Sequence, residues 1–440
     1  MKKRAIARAS LLMLALVLLL SSAACGNDPD DAPPDTAQPA GEGPASLLSD
    51  AGLRVVVASD LHYLAPELTD HGAYFWRVME NGDGKITEYC DEILDAFLAE
   101  VLAEQPDALI LTGDLSFNGA LESHRALAEK LRAVEDAGIP VLVLPGNHDV
   151  YRSNAAAFIG DGYEPRTSAT PEDFLDIYRG YGFDEALSMD EESLSYAAGI
   201  GEGMRVLMLD ADTLHDYCSL SAQTLDWVGT QLDAAEAAGE RMLVCCHQDL
   251  YQHSSMFHVG YVLNCTEELQ RILREHGVPL FLSGHMHIQH IMTEDGLTEI
   301  CSSALTMGAC QYGVLQFDGD AIRYETRPVD VSAWARSQGR EDPAILDLAS
   351  YAADAMARRT RTQTESQLQQ LGYTTEQIRS MSEYACTLNN AYFAGDLRGL
   401  EALDPNGELM ALWKQSGTFF GTYLETLQDE IGNDYTHWHN

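Results

Sequence analysis

From Leu53 onward, short aliphatic and β-branched runs alternate with longer amphipathic stretches. The runs 54–59, 107–112, 140–144, 204–209, 241–246 and 279–283 read as strands, and further ones lie near 297–303, 312–317 and 321–327. The stretches 89–104, 119–137, 171–180, 221–238 and 265–276 read as helices. This alternation predicts an α/β sandwich. After about residue 340 the strand pattern stops. Residues 343–371, 374–395 and 407–431 read as helices, broken by Gly372 and by Pro405-Asn406-Gly407, so 340–440 is expected to be a separate helical region.

The N-terminus has a different character. Basic residues precede an apolar run, Leu11–Leu20, which small residues and Cys25 follow. The run is short for a membrane span and suits an export signal over residues 1–24. Ser22-Ala23-Ala24-Cys25 resembles a bacterial lipobox, which would make Cys25 the lipidated mature N-terminus; an ordinary secretory cleavage nearby is the other reading. Residues 25–46, rich in Pro, Asp, Ala and Gly, read as a disordered tether. The expected location is therefore extracytoplasmic, at the membrane surface.

The chain has 440 residues and a formal charge of −41. Loss of residues 1–24, with Lys2, Lys3, Arg4, Arg8 and no acid, would make it four units more negative. Such a surface repels nucleic-acid backbones, so a small substrate is expected rather than a long polyanion. Outside Cys25 there are eight cysteines, an even count that permits disulfides in an exported chain. Cys301 and Cys310 are the first pair to consider. Cys245 and Cys246 fall in an apolar run and are expected as buried thiols on opposite strand faces.

Five polar segments each follow a predicted strand: Asp60-Leu61-His62, Gly113-Asp114, Gly146-Asn147-His148-Asp149, His247, and Gly284-His285-Met286-His287. In open α/β sheets ligands bind beyond the carboxyl ends of strands, so these clusters can converge. Imidazoles and carboxylates suit Fe, Mn or Zn. Read as extended chain, Asp-x-His and His-x-His put both ligands on one side. The glycines are expected to let the backbone turn sharply.

Together, in this order over about residues 54–290, the five blocks resemble the calcineurin-like metallophosphoesterase superfamily. The resemblance implies a four-layer α/β/β/α sandwich as catalytic domain, here 47–335. It implies Asp60, His62 and His287 as ligands of one transition metal ion, Asn147, His247 and His285 as ligands of a second, and Asp114 as their bridge. A hydroxide held between the metals would attack phosphorus. His148 would assist the leaving group, and Asp149 would orient that imidazole. Phe117 stands where purple acid phosphatases carry Tyr. The stretches Thr112–Gly119 and Pro145–Asp149 resemble the class III cyclic-nucleotide phosphodiesterase branch, so a phosphodiester is favoured over a monoester. A non-catalytic, lipid-anchored surface protein on the same scaffold is the rival reading. Loop 63–88, with Trp76, Asp83 and Lys85, could wall the site or be a surface insertion. His253, six residues past His247, could reach the substrate but reads first as a loop histidine, and His437 and His439 read as tail.

Overall fold

A computed structural model describes residues 52–213, 217–404 and 406–440. The export segment, Cys25 and the tether lie outside the described residues, as do Leu214, His215, Asp216 and Pro405.

Strands β1 (Leu53–Ala58), β2 (Ala108–Leu111) and β3 (Val141–Val143) precede a small hairpin of β4 (Ala156–Ile159) and β5 (Gly162–Pro165). Next come β6 (Ser188–Met189), β7 (Tyr196–Gly199), β8 (Met204–Leu209), β9 (Arg241–Cys246) and β10 (Leu280–Ser283). Then follow β11 (His290–Glu294), β12 (Leu297–Cys301), β13 (Gln311–Asp318), β14 (Ala321–Pro328) and β15 (His437–His439). They form two large sheets, ordered β15-β14-β13-β1-β2-β3 and β11-β12-β10-β9-β8-β7-β6. β1, β2 and β3 are parallel, as are β8, β9, β10 and β12, so the carboxyl ends of these runs share a direction within each sheet.

Side-chain alternation explains the layering, because successive residues of a strand face opposite sides. In β8, Val206 and Met208 join a core shared with β1–β3, whereas Leu207 and Leu209 pack in a second core. β9 repeats this with Leu243 and Cys245 against Val244 and Cys246, and β10 with Leu280 and Leu282 against Phe281. Helices Cys90–Glu104 and Leu121–Asp136 contribute to the first core, and Ala222–Ala238 and Thr266–Glu275 to the second. The result is the expected four-layer α/β/β/α sandwich. Cys245 and Cys246 are buried on opposite faces as expected. The eight cysteines after Cys25 are free thiols, so Cys301 and Cys310 are not paired.

The C-terminal helices build a third core. Leu348–Gln370 and Thr375–Ala394 form a hairpin that turns at Gly372, where φ is +81°. Thr374 and Gln377 cap the second helix reciprocally. Trp413, Met381 and Leu424 are fully enclosed in this core, and Met286 and Ile288 of the sandwich are buried in it too. The helical region is thus packed onto the His-x-His segment. His437 and His439 are not a loose tail: with Trp438 they form β15, which pairs with β14 and returns the chain end to the first sheet. Their short run carries too weak an alternation to be read from sequence. No helix among the described residues is long and apolar enough to cross a membrane.

Candidate dinuclear metal site

All five polar segments leave their strands at one edge, where the two sheets meet. Asp60 N donates to Gly113 O (3.1 Å) and His62 N to Asp114 O (2.9 Å), extending the β1–β2 pairing into the loops. Across the sheets, His247 Nδ1 donates to Thr112 O (2.9 Å) and His285 N to Asp60 Oδ2 (3.0 Å).

The seven expected ligands come together. Asp60 Oδ1 faces His287 Nε2 at 3.2 Å and His62 Nε2 at 3.6 Å, and the two imidazole nitrogens face each other at 3.1 Å. Asp114 Oδ2 lies 3.7 Å from His62 Nε2 and 3.4 Å from His247 Nε2. Asn147 Oδ1 is 3.3 Å from that same His247 nitrogen. Two groups with donor atoms within 4.8 Å of one another therefore share Asp114: Asp60, His62, Asp114 and His287, and Asp114, His247 and His285.

The atoms facing inward are the ones with no other commitment. Asp60 Oδ2 accepts from Ser59 Oγ (2.6 Å) and from His285 N, while buried Oδ1 accepts no hydrogen bond. Asp114 Oδ1 accepts from His148 N (2.7 Å), which frees Oδ2. His247 is fixed through Nδ1, leaving Nε2; His285 donates Nε2–H to Gly260 O (2.8 Å), leaving Nδ1, and its ring packs at a tilt against Tyr261. Hydrogen bonding of one imidazole nitrogen orients the other for a metal. Buried, unpaired donors of this kind cost several kcal/mol unless a cation meets them, so the set fits a pair of transition-metal ions.

The electrostatics agree. Burial alone would raise the Asp60 and Asp114 carboxyls, but the surrounding imidazoles outweigh it and hold both well below the usual range. Burial drives His62 down to about 3 and His285 to about 4. Neutral imidazole beside ionised carboxylate is the state that binds metal, and His62 and His285 meet it; at His247 burial is outweighed by the Asp114 carboxylate, which holds the imidazole well above its ordinary value, so metal binding there would release a proton.

Backbone strain concentrates here. Asp60, His62, Asp114, His285 and His287 all have φ between +42° and +63°. Non-glycine residues rarely adopt this region, and such strain gathers at functional sites. The Asp-x-His and His-x-His blocks are therefore not extended chain. In the latter, Met286 and Ile288 are anchored in the helical core while the histidines bend into the site. Only Gly113 of the three glycines takes positive φ (+97°). Gly146 and Gly284 serve close approach: a Cβ at Gly146 would strike Asp114, and one at Gly284 would strike Ser59 and Asp60.

His148 donates Nδ1–H to Phe117 O (2.8 Å), and burial lowers its pKa against the pull of Asp114. Asp149 does not orient this imidazole. Its carboxylate accepts from the amides of Gly146, Leu115 and Ser116 and from Ser116 Oγ, at 2.8–3.0 Å. It ties the Gly-Asp loop to the Gly-Asn-His loop. A backbone carbonyl does the orienting, and carbonyls have no sequence signature.

Two cations beside the site have no motif to mark them in the sequence. Arg152 donates Nη1–H to Asn147 O (2.8 Å) and its Nε has no partner. Lys85, nearly buried, pairs with Asp83, which lies 3.6 Å from His287 Nδ1. Loop 63–88 thus reaches the site through Asp83 and Lys85, while Trp76 stays partly exposed. His253 stands in a loop, as expected, and is buried.

Comparisons with known proteins follow the same division. The family model "Calcineurin-like phosphoesterase" matches residues 53–289, and "C-terminal domain of cyclic nucleotide phosphodiesterase" matches residues 330–434. A "Probable cyclic nucleotide phosphodiesterase" of Rhodococcus erythropolis is 28% identical over 215 residues, covering 47% of this chain and 59% of that protein. One of the same name from Vesicomyosocius okutanii is 23% identical over 182 residues, covering 41% and 62%. The chain thus spans about three fifths of each relative's length. A dimetal phosphatase from Danio rerio is 14% identical in sequence with a TM-score of 0.47, covering 63% of this chain and 97% of that one. With more than half its length matched by the family model and every motif block in place, this chain belongs to the calcineurin-like phosphoesterase family.

Proposed function

We propose that this protein is a dinuclear metal-dependent phosphoesterase that prefers phosphodiesters, cyclic nucleotides foremost, and acts outside the cytoplasm from a lipid anchor on Cys25. The observation that carries the reading is Asp114: one oxygen is held by a backbone amide and the other faces both histidine groups. Asp60, His62 and His287 would hold one ion and Asn147, His247 and His285 the other, with Asp114 shared. Manganese, iron and zinc all suit these donors. When bound, such a pair supplies Lewis acidity toward the phosphoryl oxygens and lowers the pKa of water.

The chain's own groups do the rest. His148 keeps Nδ1–H on Phe117 O, so its imidazolium form would carry on Nε2 the proton for the departing oxygen. Lys85 and Arg152 set positive charge beside the site in a strongly acidic protein, favouring a small anionic ester. The preference for cyclic nucleotides rests on the names of the two relatives and on the match over residues 330–434.

A substrate panel on manganese-loaded protein tests this. Bis-p-nitrophenyl phosphate and 2′,3′- or 3′,5′-cyclic nucleotides should be cleaved faster than p-nitrophenyl phosphate. Good cleavage of the monoester with the diesters untouched would reject the diesterase reading.

A further inference from the structure

Beside the dinuclear site, a second set of ligating side chains is sealed inside the protein. Asp249 lies two residues past His247, His253 follows in the same loop, and Glu299 is on β12. All three are buried, and one donor atom from each lies within 4.8 Å of the others.

Positive partners are scarce there. Among the described residues no lysine or arginine pairs with Asp249 or Glu299; the ion-pair contact there is His253 Nε2 to Glu299 Oε2 at 3.1 Å. Glu299 is held firmly, by the amides of Leu250 (2.8 Å) and Tyr251 (2.5 Å) and by Ser283 Oγ (2.6 Å). Asp249 is not: neither carboxylate oxygen accepts a hydrogen bond. Its nearest donors are spent elsewhere, the Ser283 hydroxyl on Glu299 and the Cys301 thiol on Gly284 O (3.2 Å). His253 Nε2 likewise lacks a hydrogen bond of good geometry. Two buried carboxylates, one of them accepting no hydrogen bond, are strongly unfavourable as a pair of anions, so the second must hold a proton or meet a cation.

We infer that Asp249, His253 and Glu299 form a third cation site that takes one divalent transition-metal ion such as zinc or manganese. One nitrogen and two carboxylates make a suitable donor set, and a divalent ion cancels both negative charges. Both Asp249 oxygens are free, so it can bind through either or both. The supporting shell is present: His253 Nδ1 meets His290 Nδ1 at 2.9 Å, and His290 Nε2 faces Glu430 Oε2 at 3.5 Å. The enclosure marks the site as structural rather than catalytic. It would clamp the loop whose Gly260 carbonyl and Tyr261 ring hold His285. It would also fasten the helical region, through Glu430 and through Tyr392 Oη, which donates to His253 O (3.4 Å).

The inference does not depend on the substrate proposed above, and its test reads metal, not turnover. Crystals of the full mature chain grown with zinc or manganese should show an anomalous peak enclosed by Asp249, His253 and Glu299, besides those around Asp114. Elemental analysis should give about three ions per chain for the wild type and about two for D249N, with Asp114 still loaded. Filled sites around Asp114 with no anomalous density at Asp249 would overturn the inference, whether or not the variant folds. An unchanged metal count in folded D249N would do the same.

Discussion

Asp114 can serve two metal positions because its oxygens are differently committed, one to the amide of His148 and one to the site. Asp114→Ala should therefore lose metal and activity together, measured by elemental analysis and diester hydrolysis. His148→Ala should keep its metal and lose rate, on the order of 10²–10⁴-fold, most for poor leaving groups. Gly284→Ala should weaken metal binding although it touches no metal, because the new Cβ displaces Ser59 and Asp60; a metal affinity equal to wild type would contradict this. At this scale the convergent side chains were legible, since rare residue types recur at strand ends. Their supports were not. The carbonyls of Thr112, Phe117 and Gly260 orient three histidines, and any residue type supplies a carbonyl. The role expected of Asp149 failed for that reason.

Among the elements, the central strands were readable because both their faces are buried, so β8, β9 and β10 appear as continuous apolar runs. Short edge strands such as β6, β7 and β15 carry little of that signal. The pairing of Asp249 with Glu299 was also hidden, because fifty residues separate them and the β10–β12 register alone brings β12 beside the site. The C-terminal helices are positioned by packing rather than by a motif. Trp413 is fully buried and its Nε1–H donates to Met381 O (3.0 Å). Trp413→Ala should cost about 3–5 kcal/mol in urea unfolding. Because Met286 and Ile288 share that core, the variant should also bind metal more weakly. An unfolding midpoint equal to wild type would show that the helical core does not bear on stability.

For the molecule as a whole, a formal charge of −41 surrounds a site edged by Lys85 and Arg152. Hydrolysis of an anionic diester should fall when both are replaced by glutamine, chiefly through a higher KM, because a uniform loss of binding leaves kcat unchanged. The β15 strand and the shared Met286–Ile288 packing join the helical region to the sandwich, so the two are expected to unfold together rather than in separate transitions. The proposed lipid anchor on Cys25 predicts that Cys25→Ala moves the protein from the membrane fraction to the soluble one. The central claim is that the convergent side chains are a working dinuclear metal centre. It is tested most directly by adding manganese to metal-free protein while following hydrolysis of bis-p-nitrophenyl phosphate. Activity should be absent at the start and rise with the metal bound around Asp114. Hydrolysis that is unaffected by stripping the metal, or protein that stays inert with those positions filled, would contradict it.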